Sequence, residues 1–488
     1  GNWLETCGSA PYLRGSCPGS KPCELKSRIA ATADLSKPNI RPNISGWIRI
    51  GGEKNQKKIV PIIRSVISLG FVTLLGAEAQ EPSPRPGQGE DGIKGGSGQI
   101  VIDDGAGSAA RTGAPIRIGI RLQRRQLKLA REGKFHLEER PGGQGDSRAI
   151  PVQFERPGGA GEEGFLCWRM PPGKKGRRVF VLVWGQPAAP EVMVARKDEE
   201  SGQFVIAESG KPILRYVYKT LEPGELLAAV RPGSRKYARA RSNYIHPLHG
   251  PDGEILTKDW AEDHPHHRGG YWAWPETIYR GEVGDLHALQ RVFARPTGKI
   301  RLTQGSVYAQ IEAENQWLWE DREPIVHESA TIRAHASGRR GRCIDLKFVF
   351  TALQDGVTIA RRGTDKYGGL NIRLSTTTRQ ELVLHNDPVQ QIPRRGWADF
   401  VATFGERSDP TGILVLQRQS NPNYPGDWIK YPEIQWFQPT FPAAGSRHAL
   451  KKGSPLVLQY RLWIRRGEVA SEECYVDQWR AYQQFGGL

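Results

Sequence analysis

Between Tyr244 and Trp274 the chain reads YIHPLHGPDGEILTKDWAEDHPHHRGGYWAW. Five of its eleven histidines fall in this stretch: His246, His249, His264, His266 and His267. Asp259 and Asp263 precede the second group, and Arg268, Tyr271, Trp272 and Trp274 follow it. Imidazole titrates near neutral pH, so such a cluster suits general acid/base work. Neutral imidazole also binds divalent metals, and His264 with His266 forms a His-x-His pair that one more ligand would complete. A hydrogen-bonded cluster with a structural role uses the same residue types. Acid/base catalysis by His246, His264, His266 and His267 is the leading expectation, with no metal required. Arg268 and Trp272 are expected to contact the substrate.

Two prolines set the local geometry. Pro247 and Pro265 push His246 and His264 into extended conformations. Side chains alternate along an extended backbone, which would place His264 and His266 on one face and His267 on the other. Pro251-Asp252-Gly253 reads as a tight turn between two extended arms. Three more places carry candidate groups. Glu328, within IVHESATIRAHA, has apolar neighbours; buried there, its carboxyl would have a raised pKa and could donate a proton. Asp365, Lys366 and Tyr367 sit in a glycine-rich turn and suit sugar hydroxyls or a carboxylate. The loop SNPNYPGDWIKYPEIQW sets Asn421 near Trp428, an amide to read hydroxyls and a flat ring to stack on a pyranose.

The elements that must hold these groups are strands. The chain has 488 residues, too many for one ordinary core, so two or more domains are expected. Short runs such as IRIGIRL, VFVLVWG, ILRYVY, VYAQIEAENQWLWE and CIDLKFVFTAL are separated by Gly/Pro turns, the pattern of an all-β fold. In VYAQIEAENQWLWE, Ile311, Ala313 and Asn315 should share one face and Glu312, Glu314 and Gln316 the other. A curved sheet of this kind could hold a ligand on its concave side. ASEECYVDQWRAYQQF closes the chain as an amphipathic helix. Residues 1–53 read as a non-native or disordered leader without a functional role. Residues 54–79 read as a secretory signal, in which basic residues, an apolar run and Ala77-Glu78-Ala79 follow in order. Residues 80–110 are rich in Gly, Pro and Ser and read as a flexible linker. A small β-sandwich domain is expected over 111–235 and the larger, histidine-bearing domain over 236–488. With the leader removed, Cys167, Cys343 and Cys474 make neither a metal motif nor a disulfide framework, and leave room for one bridge at most.

Net charge is +17, but the basic residues are scattered and never interleave with aromatics in a nucleic-acid motif. Such a surface weakly favours acidic matter, anionic polysaccharide included. No apolar run is long enough to span a bilayer.

The motifs YIHPLHGPDG (244–253), DHPHHRGGYWAW (263–274), GTDKYGGLNIR (363–373), RGWADF (395–400), SNPNYPGDW (420–428) and YRLWIRRG (460–467) resemble a family of mostly secreted bacterial proteins of unknown function, long labelled methane oxygenase. The resemblance covers roughly residues 240–485. His249 departs from it, since the family often has Tyr there. Proteins of this kind look like members of the galactose-mutarotase-like group, whose fold is a β-supersandwich and whose members commonly pair a histidine with a carboxylate on sugars. The resemblance implies an exported carbohydrate-active enzyme of lyase, hydrolase or epimerase type, secreted or periplasmic, with a glycan ligand. The alternatives are a non-catalytic sugar-binding protein and a metal-dependent enzyme with a His-x-His centre. A methane oxygenase would need membrane-spanning helices that the sequence lacks.

Overall fold

Alternation of apolar and polar residues over 10–13 positions builds the longest strands. The computed structural model describes residues 99–140, 149–156, 162–185, 190, 192–386, 395–407 and 409–488. The expected leader and signal, and the linker as far as residue 98, lie outside the described residues. What is described is predominantly β.

Two eight-stranded antiparallel sheets dominate. The first runs, in spatial order, through Val292–Thr303, Tyr308–Trp319, Glu323–His335, Arg342–Ala352, Leu456–Arg466, Thr411–Gln417, Arg395–Phe404 and Thr377–Asn386. The second runs through Trp428–Tyr431, Trp436–Pro439, Gly369–Arg373, Gly270–Ala273, Tyr244–Leu248, Lys211–Val217, Gln203–Glu208 and Met193–Asp198. Their inner faces share one apolar core that includes Ile206, Trp272, Trp274, Trp317, Phe350 and Phe437. In Tyr308–Trp319 the expected alternation holds: Ile311, Ala313 and Asn315 are buried, while Glu312, Glu314 and Gln316 are half-exposed. The buried face is filled with core side chains.

The smaller body has a four-stranded and a three-stranded sheet around its own core. It departs from expectation in two places. Gln99–Asp104, inside the expected linker, is a strand paired with Gly176–Trp184. The strands between Met193 and Val217, assigned by sequence to the small domain, belong to the large sheet through Val217↔Tyr244 and Leu214↔Leu248. Periodicity identifies a strand but not its partner, and that partner lies across a long loop.

The C-terminal helix Glu472–Phe485, capped by Ser471, joins the two bodies. Its Ala481 and Phe485 enter the small domain's core, and Asp477 accepts from Ser108 Oγ at 2.8 Å and Arg111 Nε at 2.5 Å. Cys167, Cys343 and Cys474 are free thiols. No described helix is long and apolar enough to cross a membrane.

Candidate functional site

The outer face of the second sheet carries the site. Alternation in Gly369–Arg373 sends Leu370 and Ile372 into the core and leaves Asn371 and Arg373 on the opposite face. Tyr271 lies opposite Asn371, and Trp436 lies opposite Arg373. Loops cover this face and bring four histidines together.

The first loop is the DHPHH motif. The expected extended run is replaced by a turn: His267 N–H donates to His264 O at 2.9 Å, with Pro265 and His266 as the central pair. Proline's fixed φ suits the second position of such a turn. The turn bunches all three imidazoles where strand alternation would have split them. The ring centroids of His264 and His267 are 4.7 Å apart, and those of His266 and His267 are 4.6 Å apart.

The second loop, Asp285–Gln290, adds His287, which sequence reasoning passed over. It is closed by paired backbone bonds between Asp285 and Gln290 and by Ala288 N–H donating to Asp285 Oδ1 at 2.9 Å. His287 lies 4.6 Å from His266 and 5.2 Å from His267, centroid to centroid. Arg241 ties the two loops together. Its Nη1 donates to the carbonyls of His266 and His287, and its Nη2 to those of Trp272 and Leu286.

One ligand-capable nitrogen from each of His266, His267 and His287 lies within 4.8 Å of the other two. Burial is the main reason all three are neutral. It pushes His266 down to about 3, helped by His264 and Arg241. His267 and His287 are held well below the ordinary range by burial and then by neighbouring imidazoles. His266 Nδ1 is buried without a hydrogen-bond partner, whereas His287 Nδ1 meets the Tyr271 hydroxyl at 3.1 Å. Neutral imidazole is the form that binds a divalent metal, and His287 has behind it the kind of second group that orients such a ligand. A tetrahedral centre needs nitrogens about 3.3 Å apart, so the rings would close in slightly around an ion.

His264 differs from the trio. Its side chain is 42% exposed, and its Nδ1 lies 2.9 Å from Asp263 Oδ2. Burial alone would raise the Asp263 carboxyl, but His264 and Arg373 outweigh it and hold it below its usual value. The cluster therefore meets solvent on the His264 side. Trp436 stands 4.8 Å from His267, stacks on Tyr431 at 5.1 Å, and is joined by Tyr367 at 5.3 Å. Together these three rings form an aromatic wall.

Several expected site residues lie elsewhere. His246 bonds Thr257 Oγ1 at 3.0 Å and makes no ring contact with the cluster. Arg268 is fully buried, paired with Asp259 and stacked 3.5 Å over Trp260. Trp272 packs on Trp274 at 4.7 Å in the core, because it points inward on a strand whose neighbour Tyr271 points out. Glu328 is buried between the sheets, where Trp317 Nε1 donates to it at 2.7 Å. Asn421 fastens the backbone of Gln459 with two bonds of 2.8 Å. Trp428 packs against the core. The Asp365 and Lys366 side chains are exposed, and of that trio only Tyr367 reaches the imidazoles. A cleft of about 640 Å³ lies apart from the histidines, lined by groups that include Lys211, Arg340, Arg342, Arg465 and Cys474.

A family model matches the chain over residues 203–477, from the Gln203–Glu208 strand into the C-terminal helix; it describes a family of unknown function, DUF6807. No curated protein matches the chain.

Proposed function

The chain belongs to this family of unknown function, and we propose that it is an exported, metal-dependent carbohydrate-active enzyme. His266, His267 and His287 are the metal ligands. Three imidazole nitrogens favour a borderline transition metal such as zinc, nickel, copper or iron over magnesium or calcium. The bound ion would polarise a sugar oxygen or lower the pKa of a water. His264, oriented by Asp263, stands at the open side for proton transfer. The half-buried rings of Tyr431 and Tyr367, backed by the buried Trp436, supply flat surfaces on which pyranose rings stack. The paired eight-stranded sheets support a galactose-mutarotase-like β-supersandwich.

The observation that carries this reading is the convergence of His266, His267 and His287 as neutral rings. It favours the metal over purely histidine-based acid/base catalysis, since a ring with a pKa of about 3 is a weak base at neutral pH. Elemental analysis of the purified full chain tests it. The expected result is about one equivalent of a transition metal, lost in His287→Ala and kept in His246→Gln. A polysaccharide panel, read by product mass spectrometry, should then show turnover that a chelator abolishes. A chain that retains no metal when offered zinc, nickel, copper or ferrous iron overturns the metal, and turnover that survives the chelator overturns its catalytic role.

A further inference from the structure

Three N–H donors beside the histidines have no acceptor. Arg373 Nε, Trp436 Nε1 and Asn371 Nδ2 are each buried without a hydrogen-bond partner. All three lie on the outer face of two paired strands. Arg373 is directly opposite Trp436, and Asn371 is two positions along the same strand. The orientation of the Asn371 amide is fixed by a chain of bonds. Gly368 N–H donates to Gln438 Oε1 at 2.8 Å, so Gln438 must present its NH₂ to Asn371 Oδ1, which leaves Asn371 Nδ2 free. A buried donor without an acceptor is costly, and three on one surface mark a place built to meet acceptors.

Charge points the same way. Around the cluster, the guanidinium groups of Arg241, Arg362 and Arg373 face the carboxylates of Asp263 and Asp285, three positive charges against two negative. Arg241 has only carbonyl partners among its hydrogen bonds. Arg373 reaches Asp263 only at 3.5 Å, and that carboxylate is shared with His264. A metal would add further positive charge. His267 packs against Arg373 Nη1 at 3.5 Å and the Trp436 ring at 4.8 Å, and the side of the cluster open to a ligand is that of His264, whose side chain is 42% exposed.

We infer that the sugar taken by this site is acidic: a uronate whose carboxylate accepts from Arg373, Trp436 and Asn371 beside the metal-binding trio. This rests on the reading of the site as a carbohydrate centre. A carboxylate offers two oxygens with about four lone-pair directions, enough for three donors on one sheet face, and bonds to ionised groups are roughly twice as strong as neutral ones.

The test is calorimetric titration of the metal-loaded full chain with a uronate oligosaccharide and with the same oligosaccharide after reduction of its carboxyls. The expected result is at least tenfold tighter binding of the acidic form. Trp436→Phe, which removes one N–H and keeps a ring, should lose severalfold of that preference. Arg373→Met should abolish it, with a thermal melt reporting whether that variant is folded; the Trp436→Phe result stands by itself if it is not. Equal binding of both sugars overturns the acidity and leaves the carbohydrate reading in place. Tighter binding of a sulfated oligosaccharide overturns the carboxylate. Failure of all three to bind removes the inference together with the carbohydrate reading, while the metal analysis stands separately.

Discussion

His264 and His266 are two positions apart, yet the fold gives them different jobs. Both are half-buried, but the His266 ring is enclosed enough to be held neutral, and the His264 side chain is 42% exposed with a carboxylate behind it. Composition alone made the DHPHH motif legible, because three imidazoles in four residues have few ordinary explanations. His287 was not legible: a lone histidine in DLHALQ looks like any other, and only the folded loop carries it to His266. The same limit misplaced Glu328. Its burial was anticipated correctly, but its neighbours are Tyr216, Asn315 and Trp317. Burial raises its carboxyl to about 7 against the pull of Trp317 and Asn315. A folded pKa above the unfolded one means that this group's contribution is fully present below about pH 4.5 and is lost as pH rises through 7, a change of about 3 kcal/mol. Glu328→Gln lacks that dependence. Urea unfolding of both proteins at pH 5 and pH 8 should show the variant gaining relative to the parent at pH 8; the same difference at both pH values would contradict the buried, protonated carboxyl.

Strands read from alternation were found where expected, and the Pro251-Asp252-Gly253 turn closes with Gly250 N–H to Glu254 O at 2.8 Å and Gly253 at φ 89°. What failed was the single-residue decision around Pro265. A proline restricts the residue before it and equally starts a turn, and hydrogen bonding decides between the two. Two short loops thus hold the site, tied to each other by Arg241, and a carboxylate adds a further fastening. In the His287 loop it is Asp285, which caps Ala288 with one oxygen and pairs with Arg362 Nη2 at 2.7 Å with the other. Asp285→Ala should release the loop, costing about 2 kcal/mol of stability and most of the metal retention, while the far-ultraviolet dichroism stays that of the parent. Metal retained at parental level would show that the loop holds its shape without the carboxylate.

Across the whole molecule, sequence indicated two bodies and placed their boundary too late, because the strands from Met193 to Val217 show the same pattern in either sheet. Their junction is ionic as well as apolar. Glu155 of the small domain meets Arg333 of the large one at 2.9 Å and Arg117 of its own at 2.8 Å. Burial would raise this carboxyl, but the two guanidinium groups outweigh it and bring it down to about 2. A depressed pKa gives stability that is present above about 4.5 and lost as pH falls toward 2. Acid titration followed by near-ultraviolet dichroism should therefore show loss of packing within that window, and Glu155→Gln should weaken the dependence. A profile unchanged by the substitution would rule the junction out as the acid-sensitive element. The C-terminal helix adds an ordering in time. A ribosome delivers Ile100 and Phe135 well before Phe485, yet all three belong to one apolar cluster. The small body must wait, with part of its oily surface uncovered, until the strands of the large one and the helix behind them have been made. A nascent chain of this protein therefore carries an unfinished apolar seam while the large body is being made.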